Sequence, residues 1–232
     1  VEEASGLLSS SEENKVISGG MTLLPTLKQR LARVENLIGL EKCGLDKITL
    51  EEEVLKIGAM VTHDDVSISK LVNAENPAIA ELASQIGDRQ VRNRGTIGGS
   101  LANNDPSACY PAAILALGGI IHTTKRNIKA KDFFVDLFET ALEENEIITS
   151  ISLPKPEKAA YEKFPNPASR YAMVGVFVAM FEAEIRVSVT GAGEGGVFRC
   201  REIEAELSKQ FSPESLSDIH IPAEGMISDI HA

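Results

Sequence analysis

Cysteine is scarce in this sequence. There are three among 232 residues, Cys43, Cys109 and Cys200, and no two of them form a Cys-x-x-Cys pair. Iron–sulfur clusters and structural zinc ions are usually held by several soft ligands that arrive in close pairs, so this chain alone supplies neither site. An odd, sparse cysteine count also excludes a disulfide framework and favours a reducing, cytoplasmic setting.

Positive charge is also in short supply. Twenty-three Lys and Arg stand against 34 Asp and Glu, which gives a net charge of −11. A general nucleic-acid binder needs a basic face to neutralise phosphates, so that class is excluded. No apolar run is long enough to span a membrane, and no basic-then-apolar signal segment opens the chain. We therefore expect neither a nucleic-acid partner nor a membrane span.

Common catalytic signatures are missing as well. The sequence has no P-loop, no His-Glu-x-x-His pair and no Gly-x-Ser-x-Gly elbow. The four histidines lack the spacing of metal ligands. We therefore predict no catalytic acid, base or nucleophile and no metal ligand in this chain.

What is present is a mixed pattern of strands and helices. An apolar run, a Gly-Gly turn and leucines at helical spacing predict strand, turn and helix over residues 16–31, with Thr22 as the N-cap. One helix is predicted over residues 64–72. Another should begin at Asn76-Pro77 and end near Gly87. Prolines at 154–167 mark a change to β-rich sequence, so we predict an α+β protein with domains at 1–156 and 157–232.

Three glycine-rich segments are candidate ligand sites. Ser18–Thr22 lies between a predicted strand and a helix, where bare backbone and unpaired N–H groups can cradle a phosphate. Thr96–Ser100 offers two hydroxyls and bare backbone, followed by Asn103, Asn104 and Asp105. Each segment alone could also be purely structural, the first as a Gly-Gly turn before a helix and the second as a tight bend between packed elements.

The third segment, Gly191–Gly196, matches the Gly-x-Gly-x-x-Gly dinucleotide pattern. That pattern should open a helix directly within a parallel β-α-β unit. Here Val197–Cys200 separates the glycines from the next predicted helix. We therefore expect a β-turn.

The residues in order resemble a known family. "ISGGMTLLPTLKQRLA", "IGDRQVRNRGTIGGSLANNDPSACYPAAILALG", "YEKFPNPASRYAMVGV" and "VTGAGEGGVFR" together resemble the FAD-binding medium subunit of molybdenum hydroxylases, and especially the aerobic carbon monoxide dehydrogenase medium chains. The resemblance covers almost the whole chain. It implies a vanillyl-alcohol-oxidase or PCMH-type FAD domain followed by a small α+β C-terminal domain, whose final helix would be missing after Ala232.

The resemblance also implies a binding site for non-covalent FAD. Both of the first two glycine segments would hold its pyrophosphate: Ser18, Gly19, Gly20, Met21, Thr22, Thr96, Ile97, Gly98, Gly99 and Ser100. By similarity, Ile86 and Ile148 would pack near the cofactor, Lys163 would offer a cation near its polar part, and Tyr171 would stand against the isoalloxazine ring. The residues alone also allow plain core, surface or interface roles for these four.

One departure from the family pattern concerns Cys109. Many relatives carry an acid near this position, which contacts the adenosine end of the cofactor. Asp105 is our candidate to serve instead.

The implied function is electron transfer within an assembly. Iron–sulfur clusters in a small partner subunit would pass electrons from a large molybdenum subunit through FAD to an external acceptor, in a dimer of heterotrimers. Molybdenum-pterin and [2Fe-2S] groups would belong to the partners only. The assembly would be cytoplasmic, with room for peripheral association with the inner membrane. Two alternatives stay open: a stand-alone FAD-dependent oxidase or reductase, and a non-redox nucleotide-binding or scaffold module.

Overall fold

The structure is a computed structural model that describes residues 1–227. Residues 228–232, which include His231 and close the predicted C-terminal domain, lie outside the described residues. Within residues 1–227, no helix combines the length and the apolar character needed to cross a bilayer.

Short helices alternate with strands along the first two thirds of the chain. The helices are α1 (Glu2–Leu8), α2 (Leu23–Lys28), α3 (His63–Ile68), α4 (Lys70–Glu75), α5 (Pro77–Ser84), α6 (Arg89–Arg92), α7 (Ile97–Asn103), α8 (Tyr110–Leu117) and α9 (Arg201–Lys209). Single 3₁₀ turns span Ala130–Asp132 and Pro213–Leu216.

Strands occur along the whole described chain and predominate in its last third. They are β1 (Lys15–Ile17), β2 (Leu37–Gly39), β3 (Ile48–Glu51), β4 (Val54–Gly58), β5 (Ile120–Thr123), β6 (Asn127–Lys129), β7 (Phe134–Asp136), β8 (Glu139–Thr140), β9 (Ile148–Pro154), β10 (Lys158–Pro165), β11 (Ala172–Met180), β12 (Ile185–Thr190) and β13 (Phe198–Arg199).

Two larger antiparallel sheets organise these elements. One has the order β3-β4-β9-β5-β6, and the other is the meander β10-β11-β12-β13. A small parallel pair, β1-β2, and a hairpin, β7-β8, complete the strands in residues 1–227. The α+β prediction is therefore confirmed.

Helix α8 joins the two larger sheets. All eight of its residues are buried, and it packs against β11 and β12 of one sheet and against β9 of the other. Tyr161 and Phe177 of the meander belong to the same apolar cluster as α8 and β9. The boundary between residues 156 and 157 stays a prediction, because the core runs continuously across it.

Side-chain caps define the N-termini of five of the nine α-helices in residues 1–227, α3 to α7. The Asn76 side chain accepts a hydrogen bond from the Ile79 N–H, and Pro77 occupies the first turn, as predicted. The single helix predicted over residues 64–72 is wrong, since extended backbone at Ser69 divides it into α3 and α4. Gly87 does not cap α5, which ends at Ser84; its φ of +52° instead turns the chain toward α6.

Candidate functional site

The first glycine segment presents backbone N–H groups that have no acceptor. Ser18–Thr22 leaves the parallel pair β1-β2 and enters α2, and Gly20 adopts a φ of +74°. Among residues 1–227, no hydrogen bond is donated by the N–H groups of residues 19–23. Such a run at a helix N-terminus can bind an anion.

Thr22 occupies the N-cap position without acting as a cap. Its backbone is already helical, with φ −101° and ψ −47°, and its side chain accepts no hydrogen bond from the helix. A capping side chain needs extended backbone to reach back to the first turn. The predicted capping bond is therefore wrong, and the first turn of α2 keeps its free donors.

Gly19 is required by packing between the two glycine segments. A Cβ on residue 19 would overlap the carbonyl oxygen of Arg94, which lies just before the second segment. Gly19 therefore allows the two segments to approach each other, and this packing requirement does not depend on a ligand.

The second glycine segment forms the N-cap and first turn of α7, so it is not the tight bend that its residues alone allow. Its cap is Thr96, whose Oγ1 accepts a hydrogen bond from the Gly99 N–H at 3.1 Å. The N–H groups of Ile97 and Gly98 donate to the carbonyls of Val61 and Ala59. The N–H groups of residues 97–100 are thus already used, so free N–H groups are concentrated on the first segment.

Close packing also explains Gly98. A Cβ on that residue would lie 2.6 Å from the Cβ of Ala59. Gly99 differs, because its missing Cβ faces the Ser18 Oγ at 2.7 Å and the Thr96 Oγ1 at 2.9 Å. Gly99 therefore keeps open the space where the two segments face each other.

Both segments line one cleft of about 610 Å³. This volume falls within the roughly 300–1,000 Å³ typical of small-molecule sites. The predicted site residues that line it are Ser18, Gly19, Gly20, Met21, Thr22, Ile86, Thr96, Gly98, Gly99, Ser100, Asp105, Ile148, Lys163 and Tyr171. Ile97 does not line the cleft, because its side chain is fully buried beneath it.

Lys163 is a buried cross-link at the wall of the cleft. Its Nζ donates to the carbonyls of Gln85 at 2.6 Å and Arg170 at 2.9 Å, and contacts the Cys109 Sγ at 3.5 Å. It is not the surface lysine that the residues alone allowed. Its ammonium ties α5 and the β10–β11 loop to the start of α8.

Tyr171 stands half-exposed at the edge of the cleft, close to Asp105. Burial, followed by the negative charge of Asp105 and that of Cys109, raises the pKa of its phenol. The Asp105 Oδ1 accepts a hydrogen bond from the Ser107 N–H at 2.9 Å, which fixes the carboxylate beside the ring.

His63 also lines the cleft, and sequence reasoning missed it. It is 5% exposed, its ring lies 5.4 Å from that of Tyr110, and its Nδ1 is buried without a hydrogen-bond partner. Burial, and then the charge of Arg92, lower its pKa to about 4. The sequence signal that could have identified His63 is its position directly after the helix N-cap Thr62. The side chain of a residue in a capped first turn has a well-defined direction.

The third glycine segment, Gly191–Gly196, joins the antiparallel strands β12 and β13 and opens no helix. The rejection of a dinucleotide fold is therefore confirmed. Among residues 1–227, no group of His, Cys, Asp and Glu side chains is arranged to hold a metal ion.

The arrangement suits an elongated ligand with a phosphate group. Free N–H donors lie at one part of the cleft, and aromatic and aliphatic side chains, Tyr171, Ile86 and Ile148, line other parts of it. The cleft therefore offers binding and positioning of such a ligand.

Comparisons with known proteins agree on one family. Residues 1–156 match the family model described as the FAD binding domain in molybdopterin dehydrogenase. The nicotine 6-hydroxylase medium subunit of Paenarthrobacter nicotinovorans is 34% identical, across 100% of this chain and 87% of that protein. The carbon monoxide dehydrogenase medium chain of Hydrogenophaga pseudoflava is also 34% identical, across 93% and 80%.

A solved structure shares the fold. It is carbon monoxide dehydrogenase from Hydrogenophaga pseudoflava, in a form that lacks the Mo-pyranopterin moiety of the molybdenum cofactor. The TM-score is 0.86 at 34% identity, over 92% of this chain and 79% of that one.

Proposed function

Because the chain belongs to the FAD-binding medium subunits of molybdenum hydroxylases, and is thus an oxidoreductase subunit with FAD as its cofactor, we propose that it passes electrons from iron–sulfur clusters in a partner subunit through FAD to an external acceptor. When bound, FAD supplies two-electron storage with one-electron exchange. The residues of this chain bind and orient it and limit the access of water.

The run of free N–H groups at residues 19–23, opening into the cleft, is the observation that supports this proposal most directly. We assign the pyrophosphate to these donors, with the Thr96 and Ser100 hydroxyls facing them from the second segment. Hydrogen bonds from several N–H groups to an anion are each stronger than neutral ones. They need no lysine or arginine at the loop itself.

The remaining predicted site residues take positioning roles in this proposal. Ile86 and Ile148 provide apolar wall, Tyr171 supplies the aromatic face, and Asp105 serves at the polar end. Lys163 acts mainly through position, since two carbonyls already accept its hydrogen bonds. Ile97 contributes by anchoring the turn through its N–H bond to Val61.

The partners are proposed from the sequence and the relatives together. The two relatives named above are a medium subunit and a medium chain, and such names are given to parts of larger enzymes. Three scattered cysteines cannot hold an iron–sulfur cluster. We therefore propose a small iron–sulfur subunit and a large molybdenum subunit, joined as a dimer of heterotrimers in the cytoplasm, where free thiols persist.

In the same proposal, residues 1–156 are the FAD-binding domain and residues 157–232 are a C-terminal domain. The β10-β11-β12-β13 meander begins at Lys158, which supports this division.

An absorption spectrum before and after addition of FAD tests cofactor binding. We expect flavin bands that stay with the protein through gel filtration. A colourless protein that takes up no FAD would instead support the non-redox alternative.

Co-expression with the genomic neighbours, followed by size-exclusion chromatography and metal analysis, tests the assembly. We expect co-elution with iron and molybdenum. If the neighbours form an active hydroxylase without this chain, the subunit proposal fails. If a simple organic substrate then reduces the isolated flavoprotein, the stand-alone enzyme replaces it.

A further inference from the structure

Cys109 lies at the wall of the cleft and faces a buried ammonium group. It is 5% exposed, occupies the N-cap position of α8, and lines the cleft together with both glycine segments. The Nζ of Lys163, itself 9% exposed, donates to the Cys109 Sγ at 3.5 Å. The other two donors of the ammonium go to carbonyl oxygens.

No carboxylate within residues 1–227 forms an ion pair with Lys163. The sulfur of Cys109 is therefore the group touching this buried cation that can take up negative charge. An adjacent ammonium and a helix N-terminus both favour charge on a thiol sulfur.

A second observation points to the same sulfur. The hydroxyl of Tyr161 is buried, 2% exposed as a residue, and has no hydrogen-bond partner. Tyr161 precedes Lys163 by two residues on β10, so both side chains leave the same face of the strand. Burial, followed by the negative charge of Cys109, raises the pKa of the Tyr161 phenol.

Cys200 provides a contrast within the same chain. It too occupies an N-cap position, that of α9, and is buried, but its Sγ faces the carboxylate of Glu202 at 3.6 Å. Burial and this carboxylate raise the pKa of the Cys200 thiol. The two thiols thus share a helix position and differ in the charge beside them.

We propose that Cys109 is a peroxide-reactive thiol, and that its oxidation and FAD binding exclude each other. The sulfur attacks one oxygen of the peroxide, so an S–O bond forms as the O–O bond breaks. The sulfur is oxidised from thiol to sulfenic acid. The peroxide is reduced: with hydrogen peroxide, the second oxygen leaves as hydroxide and takes the thiol proton to become water. Lys163 and Tyr161 stabilise the charge on sulfur during the attack.

The exclusion rests on the proposed function, in which FAD fills this cleft. With little of Cys109 exposed, a reagent reaches the sulfur from the cleft side, and the added oxygen occupies cleft volume. Bound FAD would close this approach. A sulfenic acid would in turn oppose FAD uptake.

The test compares Cys109 with Cys200 in the full chain. FAD-free protein is treated with hydrogen peroxide and dimedone, and adducts on each cysteine are followed by peptide mass spectrometry. We expect Cys109 to be labelled roughly tenfold faster than Cys200 or more. Equal or slower labelling of Cys109 overturns the proposal, and this comparison requires no variant.

Variants test the role of the neighbours. Tyr161→Phe removes a hydroxyl that has no partner, so the fold should persist while labelling of Cys109 slows several-fold; an unchanged rate removes Tyr161 from the proposal. Lys163→Met should bring the Cys109 rate close to that of Cys200. Because Lys163 also joins three segments, the circular dichroism spectrum of Lys163→Met is checked first. If this variant is unfolded, the role of the neighbours is judged from Tyr161→Phe.

FAD protection is measured separately. Addition of FAD should slow labelling of Cys109 at least about tenfold and leave Cys200 unchanged, and pre-oxidised protein should take up little FAD. Labelling that continues in the FAD-loaded protein overturns the exclusion. If untreated protein binds no FAD at all, the proposed function fails, while the ratio of the Cys109 and Cys200 rates still decides whether the thiol site exists.

Discussion

The Thr96 hydroxyl donates a hydrogen bond to the Ser18 hydroxyl at 3.1 Å, which connects the two glycine segments across 78 positions of sequence. The same Thr96 oxygen accepts the Gly99 N–H, so one side chain caps α7 and holds the opposing segment. Free donors on the first segment are thereby fixed relative to the hydroxyls of the second.

Gly99→Val should abolish FAD binding and leave the protein folded. The new side chain would start 2.7 Å from the Ser18 Oγ and fill the space between the segments. We expect background flavin content, with the free energy of unfolding of the FAD-free protein changed by about 1 kcal/mol or less. Gly195→Val is the matched control, since a Cβ there meets nothing within 4 Å. Normal FAD content in Gly99→Val would show that the second segment does not border the pyrophosphate.

The Ser18–Thr96 contact can be tested with a double-mutant cycle. Thr96→Ala removes both the cap and the contact and should destabilise the protein by about 1 kcal/mol, whereas Ser18→Ala should cost less. FAD affinity should fall in both variants and less than additively in the double variant. Thr96→Ser keeps the hydroxyl and should bind FAD normally. Fully additive losses would mean that the contact does not couple the segments.

Acid should destabilise the FAD-free protein through His63. Its pKa is lowered from 6.5 to about 4 in the fold, so the unfolded chain binds the proton first as pH falls. Stability is fully present above about pH 6.5 and is lost progressively toward pH 4, by about 2 to 3 kcal/mol at pH 4.5. Urea unfolding at pH 7.5 and 4.5 measures this loss. His63→Phe retains a ring against Tyr110 and should lose less stability between pH 7.5 and pH 4.5. An equal loss of stability in the variant would show that His63 is not the cause.

The FAD should be bound non-covalently. Neither glycine segment contains a histidine or cysteine, and among the residues that line the cleft these types occur at His63 and Cys109. Acid precipitation should leave the yellow colour in the supernatant. Colour in the pellet would contradict the prediction, and loss of that colour in His63→Ala or Cys109→Ala would identify the attachment.

Local signals allowed much of the fold to be predicted. The strand before Gly19, the helix that follows the two glycines and the helix start at Asn76 follow from patterns within a few residues. The break at Ser69 was missed because its side chain caps a second helix inside an otherwise continuous helical pattern.

The site itself depends on contacts that local patterns do not contain. Whether Gly98 serves a ligand or a neighbour is decided by Ala59, 39 positions earlier, which its backbone touches. The sequence also could not show that the N–H groups of Ile97 and Gly98 are already hydrogen-bonded, because their acceptors belong to Val61 and Ala59, far away in the sequence. Lys163 received a role from family resemblance, yet its three hydrogen-bonded contacts come from α5, α8 and the β10–β11 loop.

Helix α8 limits how independently the two halves of the chain can exist. Its eight residues are buried, and it contacts both the meander and β9. A chain cut after residue 156 would expose to solvent the mainly apolar surface of α8 that β11 and β12 cover, which is an aggregation hazard. If the C-terminal part were replaced by that of a relative, the chimaera should fold only where the new strands reproduce the contacts of β11 and β12 with α8. Substitutions in β11 and β12 are therefore constrained by their packing against α8 of the cofactor domain, whether or not these strands touch the flavin.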